Sequence, residues 1–325
     1  MPATSLFRAW LAQRPPTAGA FVLATAILSV GLGLTGWEAL SLAALALACL
    51  AWLALAADFA VRLVRERARW AQEAGTPGGL TAVAATAVLG VRFSALGWQV
   101  LAAALLALAA VLCPWLLVRV LRTPRAPMPG SVFLSCVAVE ALAVLAASVA
   151  AAESAAWLVH TALVLFWLGL ALYLFAALPR FELREVLQGR GDHWVAGGAL
   201  AIAALAGAKL IAAAEHGPYL WNTDDSGVLH TVTWALPVLA LGWYAVLLVA
   251  ELARPRLRYD VSRWATVFPM GMTAAAALSA ASPLRAPGLH TLGVVLLWAA
   301  AAVWLAVAAG AVVDARAELR STAAR

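Results

Sequence analysis

Arg263-Trp-Ala-Thr-Val-Phe-Pro-Met-Gly-Met-Thr-Ala-Ala-Ala-Ala-Leu-Ser279 is apolar enough to lie in a membrane, yet it carries Pro269 and Gly271 in its interior. Proline removes a backbone donor, and glycine removes the side chain that stiffens a helix, so the chain beside Phe268 can bend or open. Broken helix at membrane depth is tolerated only where it is packed in protein or lines a watery cavity. A pore along this helix is the first expectation.

The rest of the chain is built for the same environment. Of its 325 residues, 65% are hydrophobic and 12% charged, against roughly half and a quarter in soluble domains. This is the composition of an integral membrane protein. Apolar windows fall at roughly 18–35, 38–61, 78–96, 99–121, 130–150, 154–178, 194–214, 229–253, 262–281 and 287–312, each near the ~20 residues that a spanning helix needs. We expect one all-α transmembrane domain over residues 1–325, with ten spans and no soluble domain. Connectors after the first, third, fifth and ninth windows are very short, whereas those after the second, fourth, sixth and eighth are basic. That alternation predicts five helical hairpins in succession.

Charge placement supplies the topology. Nineteen of the 22 Lys and Arg residues fall on one side of this layout, leaving Arg92, Lys209 and Arg285 on the other. Cytoplasmic loops collect basic residues, so both termini are expected in the cytoplasm of a cell with this multi-pass protein in its plasma or inner membrane. The net charge of +6 is then topological and gives no reason to expect nucleic acid. Cys49, Cys113 and Cys136 lie within apolar runs and suggest no disulfide framework. The first apolar run lacks a convincing cleavage site and reads as a retained helix rather than a leader.

Odd and even windows differ in kind. The even windows and their edges hold Trp37, Trp52, Trp98, Trp115, Trp157, Trp167, Trp234, Trp243, Trp298 and Trp304, a residue that favours the lipid interface. The odd windows hold small or weakly polar residues instead, including Thr25, Ser29, Thr86, Ser135, Gly197, Gly198, Gly207, Thr273 and Ser279. Small residues let helices approach closely or leave an open lumen. Five repetitions of this contrast favour an inner ring of odd helices surrounded by even ones.

Two stretches carry a family resemblance: Pro15-Pro16 leading into Phe21-Val-Leu-Ala-Thr-Ala-Ile-Leu-Ser29, and Tyr259-Asp-Val-Ser-Arg-Trp-Ala-Thr-Val-Phe-Pro-Met-Gly-Met272. Together they resemble the tellurite-resistance/C4-dicarboxylate transporter family, which includes the plant guard-cell slow anion channels. The resemblance implies a ten-helix fold of five hairpins in quasi-fivefold arrangement around a central pore, usually as a homotrimer with one pore per subunit, that passes anions. It also implies that a ninth-helix phenylalanine plugs the pore, which here is Phe268, with Pro269 and Gly271 as its hinge. The family's usual Ala-Thr-Gly-Ile in the first helix reads Ala24-Thr25-Ala26-Ile27 in this chain.

Within this frame the candidates sort by chemistry. An aromatic ring beside a proline can swing with a small backbone change, and a hydrophobic constriction blocks ions by dewetting. Measured from Arg263, Phe268 lies about 7 to 8 Å into the helix, nearer the basic end than the middle. Glu140 is the one carboxylate deep in the expected inner ring, and ionisable groups at such depth are costly and usually functional. It is either protonated, turned onto a hydroxyl or a histidine such as His160, or a proton carrier. Arg92 and Lys209 approach the outer ends of odd windows, where fixed positive charge would concentrate anions, unless they extend to lipid headgroups. Thr25, Ser29, Thr86, Ser135 and Thr273 are the pore-lining candidates. Glu215, Asp224 and Asp225 in the longest outer loop could cancel the positive field. Asp58 and Arg62 are spaced for an i,i+4 ion pair, and Arg62 to Glu73 reads as a helical extension on the membrane surface. The histidines show no metal-ligand spacing, and neither a bound metal nor a cofactor is expected. No catalytic or phosphate-binding motif points to an enzyme. The expected partners are small anions and the lipid bilayer. The expected functions are gated anion permeation, or alternatively proton-coupled transport of a C4-dicarboxylate or of an oxyanion such as tellurite or sulfite.

Overall fold

A computed structural model describes residues 19–122, 129–182, 184, 186, 191–215, 223–255 and 259–323. Pro15 and Pro16, seven of the basic residues used for topology (Arg8, Arg14, Arg125, Arg190, Arg256, Arg258 and Arg325), and the side chains of Glu215, His216, Asp224 and Asp225 lie outside the described part. Among the described residues there is no β-strand, and ten helices have 15 residues or more. They are α1 (Gly19–Leu34), α2 (Glu38–Arg65), α3 (Thr81–Ala95), α4 (Gln99–Arg122), α5 (Leu134–Glu153), α6 (Ala156–Leu172), α7 (Val195–Glu215), α8 (Thr223–Ala253), α9 (Trp264–Ala280) and α10 (Pro287–Ala323). Alanine is frequent in all of them and leucine joins it in most, and both lose little rotamer freedom in a helix. Eight described helical segments are long and apolar enough to cross a membrane, and α1 is a shorter apolar helix. The surface extension is broken: α2 ends at Arg65, and a separate short helix runs Arg67–Glu73. Arg62 ties the two together by pairing with Asp58 at 2.7 Å and Glu73 at 2.7 Å.

Four tight connections are closed by one device. In each, a single residue turns to positive φ: Gly36 at 81°, Gly97 at 82°, Ser154 at 53° and Arg285 at 52°. The next residue's N–H then bonds back five positions, Trp37 to Leu32 (2.9 Å), Trp98 to Phe93 (3.0 Å), Ala155 to Ala150 (3.0 Å) and Ala286 to Ala281 (2.9 Å). This is the bond pattern by which a left-handed residue terminates a helix and satisfies its last carbonyls. It reverses the chain after α1, α3, α5 and α9, so each pairs with the helix that follows.

Packing separates the helices into two layers. Each odd helix packs on the next odd one, α1 on α3, α3 on α5, α5 on α7 and α7 on α9, and α9 returns to α1. Every even helix lies outside this closed circuit, against its own partner and the following odd helix, with α10 returning to α1. Burial follows the layers: 94% of the best apolar window of the α5 segment is inside the protein, against 17% of those of α2 and α10. The difference puts Leu50, Val100, Val111, Leu252 and Val313 on an apolar exterior suited to hydrocarbon.

Candidate functional site

The face that Phe268 presents follows from its neighbours. Residues advance about 100° each around a helix, so Pro269 lies to one side of Phe268 and Gly271 to the other. Pro269 is seated on Gly198 of α7, where an added Cβ would lie 3.0 Å from its ring carbons. Gly271 meets α1, where an added Cβ would lie 2.9 Å from Ile27 Cγ2. Between a contact to α7 and a contact to α1, the short arc faces the inside of the circuit. The opposite stripe, Met270, Ala274 and Leu278, packs with Leu296, Leu297 and Ala300 of α10 and with Leu28 and Leu32 of α1. Phe268 therefore points inward, as do Met272, Ala275 and Ser279 on the same stripe, and its side chain is fully buried at 0% exposure. Pro269 leaves the Ala265 carbonyl without its helical donor, directly below the ring.

The base of α9 is anchored. Asp260 accepts from Ser262 N–H at 2.8 Å and from the Ser262 hydroxyl at 2.7 Å. Arg263, buried, donates to Glu251 of α8 at 2.8 Å. Pro269 stands six residues, about 9 Å, beyond this fixed point.

The candidate hydroxyls divide. Thr25 donates to the Phe21 carbonyl (2.8 Å) and accepts from the Trp304 indole of α10 (3.0 Å). Thr86 does the same with the Ala82 carbonyl (2.7 Å) and the Trp52 indole of α2 (2.8 Å). Ser29 and Ser41 exchange hydrogen bonds across α1 and α2, with Ser41 donating to the Ser29 carbonyl at 2.6 Å. All three inner-helix hydroxyls face outer helices, because an indole or hydroxyl buried among hydrocarbon needs a partner. Ser135 and Thr273 donate to carbonyls of their own helical segments, Val132 at 2.8 Å and Pro269 at 2.9 Å.

The two outer cations also differ. Arg92 is buried on Gly33 of α1, bonds Ser41 through Nε at 2.9 Å and forms an ion pair with Glu38. Glu38 had no signal as a site residue in sequence beyond its place as the first residue after a Gly-Trp turn. Lys209 is half-buried and forms no hydrogen bond or ion pair among the described residues.

Glu140 is turned toward its hairpin partner. Gly169 of α6 makes the room: a Cβ there would lie 2.6 Å from both Cγ and Cδ of Glu140. Among the described residues neither carboxyl oxygen has a hydrogen-bond partner, and His160 is not one.

These features define a multi-pass, all-α membrane protein whose inner helix layer is enclosed by an apolar outer one. The chain belongs to the voltage-dependent anion channel family, SLAC1, whose model matches residues 13–312. Over 119 residues it is 31% identical to an uncharacterized membrane protein of Mycobacterium tuberculosis, found in strains CDC 1551 and H37Rv. That match covers 34% of this chain and 58% of the relative, so the chain spans little more than half the length of those relatives.

Proposed function

We propose that this chain is a gated channel for small anions, with Phe268 closing a path along the axis of the odd-helix circuit. The observation that carries the reading is the direction of Phe268, set between the Pro269 contact to α7 and the Gly271 contact to α1. In this reading the ten helices are five hairpins in quasi-fivefold arrangement, and the fully buried ring is the shut position. Opening swings the ring about Pro269 and Gly271, and the wetted constriction conducts. Ser135 and Thr273 add weak polarity to the wall, Lys209 and the Arg92–Glu38 pair lie toward the far end, and Thr25, Ser29 and Thr86 brace the inner layer against the outer one. Both termini lie in the cytoplasm of a cell-membrane protein, and three copies assemble with one pore each.

A second reading is favoured by Glu140, whose two buried oxygens lack partners among the described residues: proton-coupled transport of a dicarboxylate or oxyanion. Flux in proteoliposomes across chloride, nitrate, malate, sulfite and tellurite, with and without a pH gradient, separates the two. A channel follows the anion gradient alone, and its reversal potential ignores pH. A reversal potential that moves with pH and ceases to move in Glu140→Gln would establish coupling instead.

A further inference from the structure

The five inner helices carry two cations, Arg92 and Lys209, and Glu38 already matches the charge of Arg92. Lys209 has no such match among the described residues. It stands eleven residues beyond Gly198, almost three full turns, so it repeats the face on which α7 receives Pro269. Ser279 stands eleven residues beyond Phe268, again three turns, on the inward stripe of α9. Gly198 and Pro269 touch, and α7 and α9 both run away from the basic end, so Lys209 and Ser279 reach the same level, about 16 Å past Phe268.

Ser279 is distinctive in two respects. It is the one residue of α9 that is not buried. Its hydroxyl oxygen is nevertheless shut off from bulk water and has no hydrogen-bond partner among the described residues. Thr25, Thr86, Ser148 and Thr273 on inner helices all donate to the carbonyl four residues back. Ser279 does not make that bond, although its position allows it, so its donor remains available. Of the acidic residues on the inner helices whose side chains are described, Glu140 is in the α5–α6 interface and Glu153 is the last residue of α5.

We propose that Lys209 and Ser279 form a binding station for one small monovalent inorganic anion, such as chloride or nitrate, beyond the gate; the proposal rests on the permeation reading above. An ammonium and one hydroxyl donor complement a single negative charge. A C4-dicarboxylate carries a second carboxylate for which the inner helices offer no second unpaired cation among the described residues, since the guanidinium of Arg92 is engaged. The station therefore favours monovalent inorganic anions over dicarboxylates.

The test is a titration of purified full-length protein with sodium chloride at constant ionic strength, balanced by gluconate, following thermal stabilisation. Wild type should be stabilised saturably. Lys209→Gln should raise the half-saturating chloride concentration about tenfold, the loss of one charge-assisted hydrogen bond. Ser279→Ala should raise it about threefold, as expected for a neutral donor, and Lys209→Arg, which keeps the charge, should stay near wild type. Malate should stabilise less than chloride. Equal half-saturation in wild type and Lys209→Gln, or no chloride-dependent stabilisation of wild type, overturns the station. Flux distinguishes the two proposals: if Phe268→Ala passes no anion while chloride still stabilises through Lys209, the permeation reading falls and the station stands.

Discussion

Two inner-helix residues rest on a glycine of a neighbouring helix, one within the inner layer and one across to the outer layer. Pro269 of α9 sits on Gly198 of α7, within the inner layer, while Glu140 of α5 sits on Gly169 of α6, in the outer one. In each case the missing side chain is what makes the approach possible. At Gly198 the result is an apolar contact that aims the adjacent Phe268 at the axis. At Gly169 it is a close seat for a carboxyl group that has no hydrogen-bond partner among the described residues. Depth in the bundle is therefore a poor guide to role, because an inner helix has a face toward the axis of the circuit and a face toward the outer layer, and a buried residue can lie on either.

The comparison breaks most easily at Gly198. A leucine there would place its Cβ 3.0 Å from two ring carbons of Pro269, and a proline ring cannot rotate away. Gly198→Leu should force α7 and α9 apart at a cost of about 3 kcal/mol, the upper range for overpacking, and sharply reduce the yield of monodisperse protein in size-exclusion chromatography. Wild-type yield and melting temperature would show that the two helices are not in contact there.

Glu140 gives the next largest effect, of opposite sign. Leucine is close in volume and removes an unbonded polar group, so Glu140→Leu should stabilise the protein by about 1 to 2 kcal/mol, read as a higher denaturation midpoint in detergent. Destabilisation would mean that the carboxyl group has a partner in the assembled protein. The smallest effect is expected at the brace between the layers. Trp304→Phe keeps most of the ring and loses the donor to Thr25, which should cost about 0.6 kcal/mol, the average for a hydrogen bond between membrane helices. Trp52→Phe should match it, because Thr86 is bonded in the same way.

Much of the architecture is legible in the residues. The alternation of basic and very short connectors coincides with the hairpins, and the short ones share one turn geometry even where Ser154 or Arg285 replaces glycine. The split between tryptophan-rich and small-residue windows coincides with the outer and inner layers. Less legible is rotation about each helix axis. A helix buried on all sides is apolar all round and has no polar stripe to set its phase, so Thr25, Ser29 and Thr86 read as lumen candidates although their hydroxyls bond outer helices. The tryptophans mislead in a related way: Trp52 and Trp304 use their indole N–H groups inward, whereas Trp37, Trp98 and Trp157 are exposed. Glu38 escapes notice because its partner Arg92 is 54 residues away in sequence.

The measurement that bears most directly on the central claim is basal anion conductance of Phe268→Ala in planar bilayers, with Thr25→Ala as the outward-facing control. Removing the ring should raise chloride conductance about tenfold or more, equivalent to lowering the barrier by at least about 1.4 kcal/mol, while the control stays at the wild-type level. A folded Phe268→Ala protein that conducts no better than wild type would contradict the assignment of Phe268 as the gate.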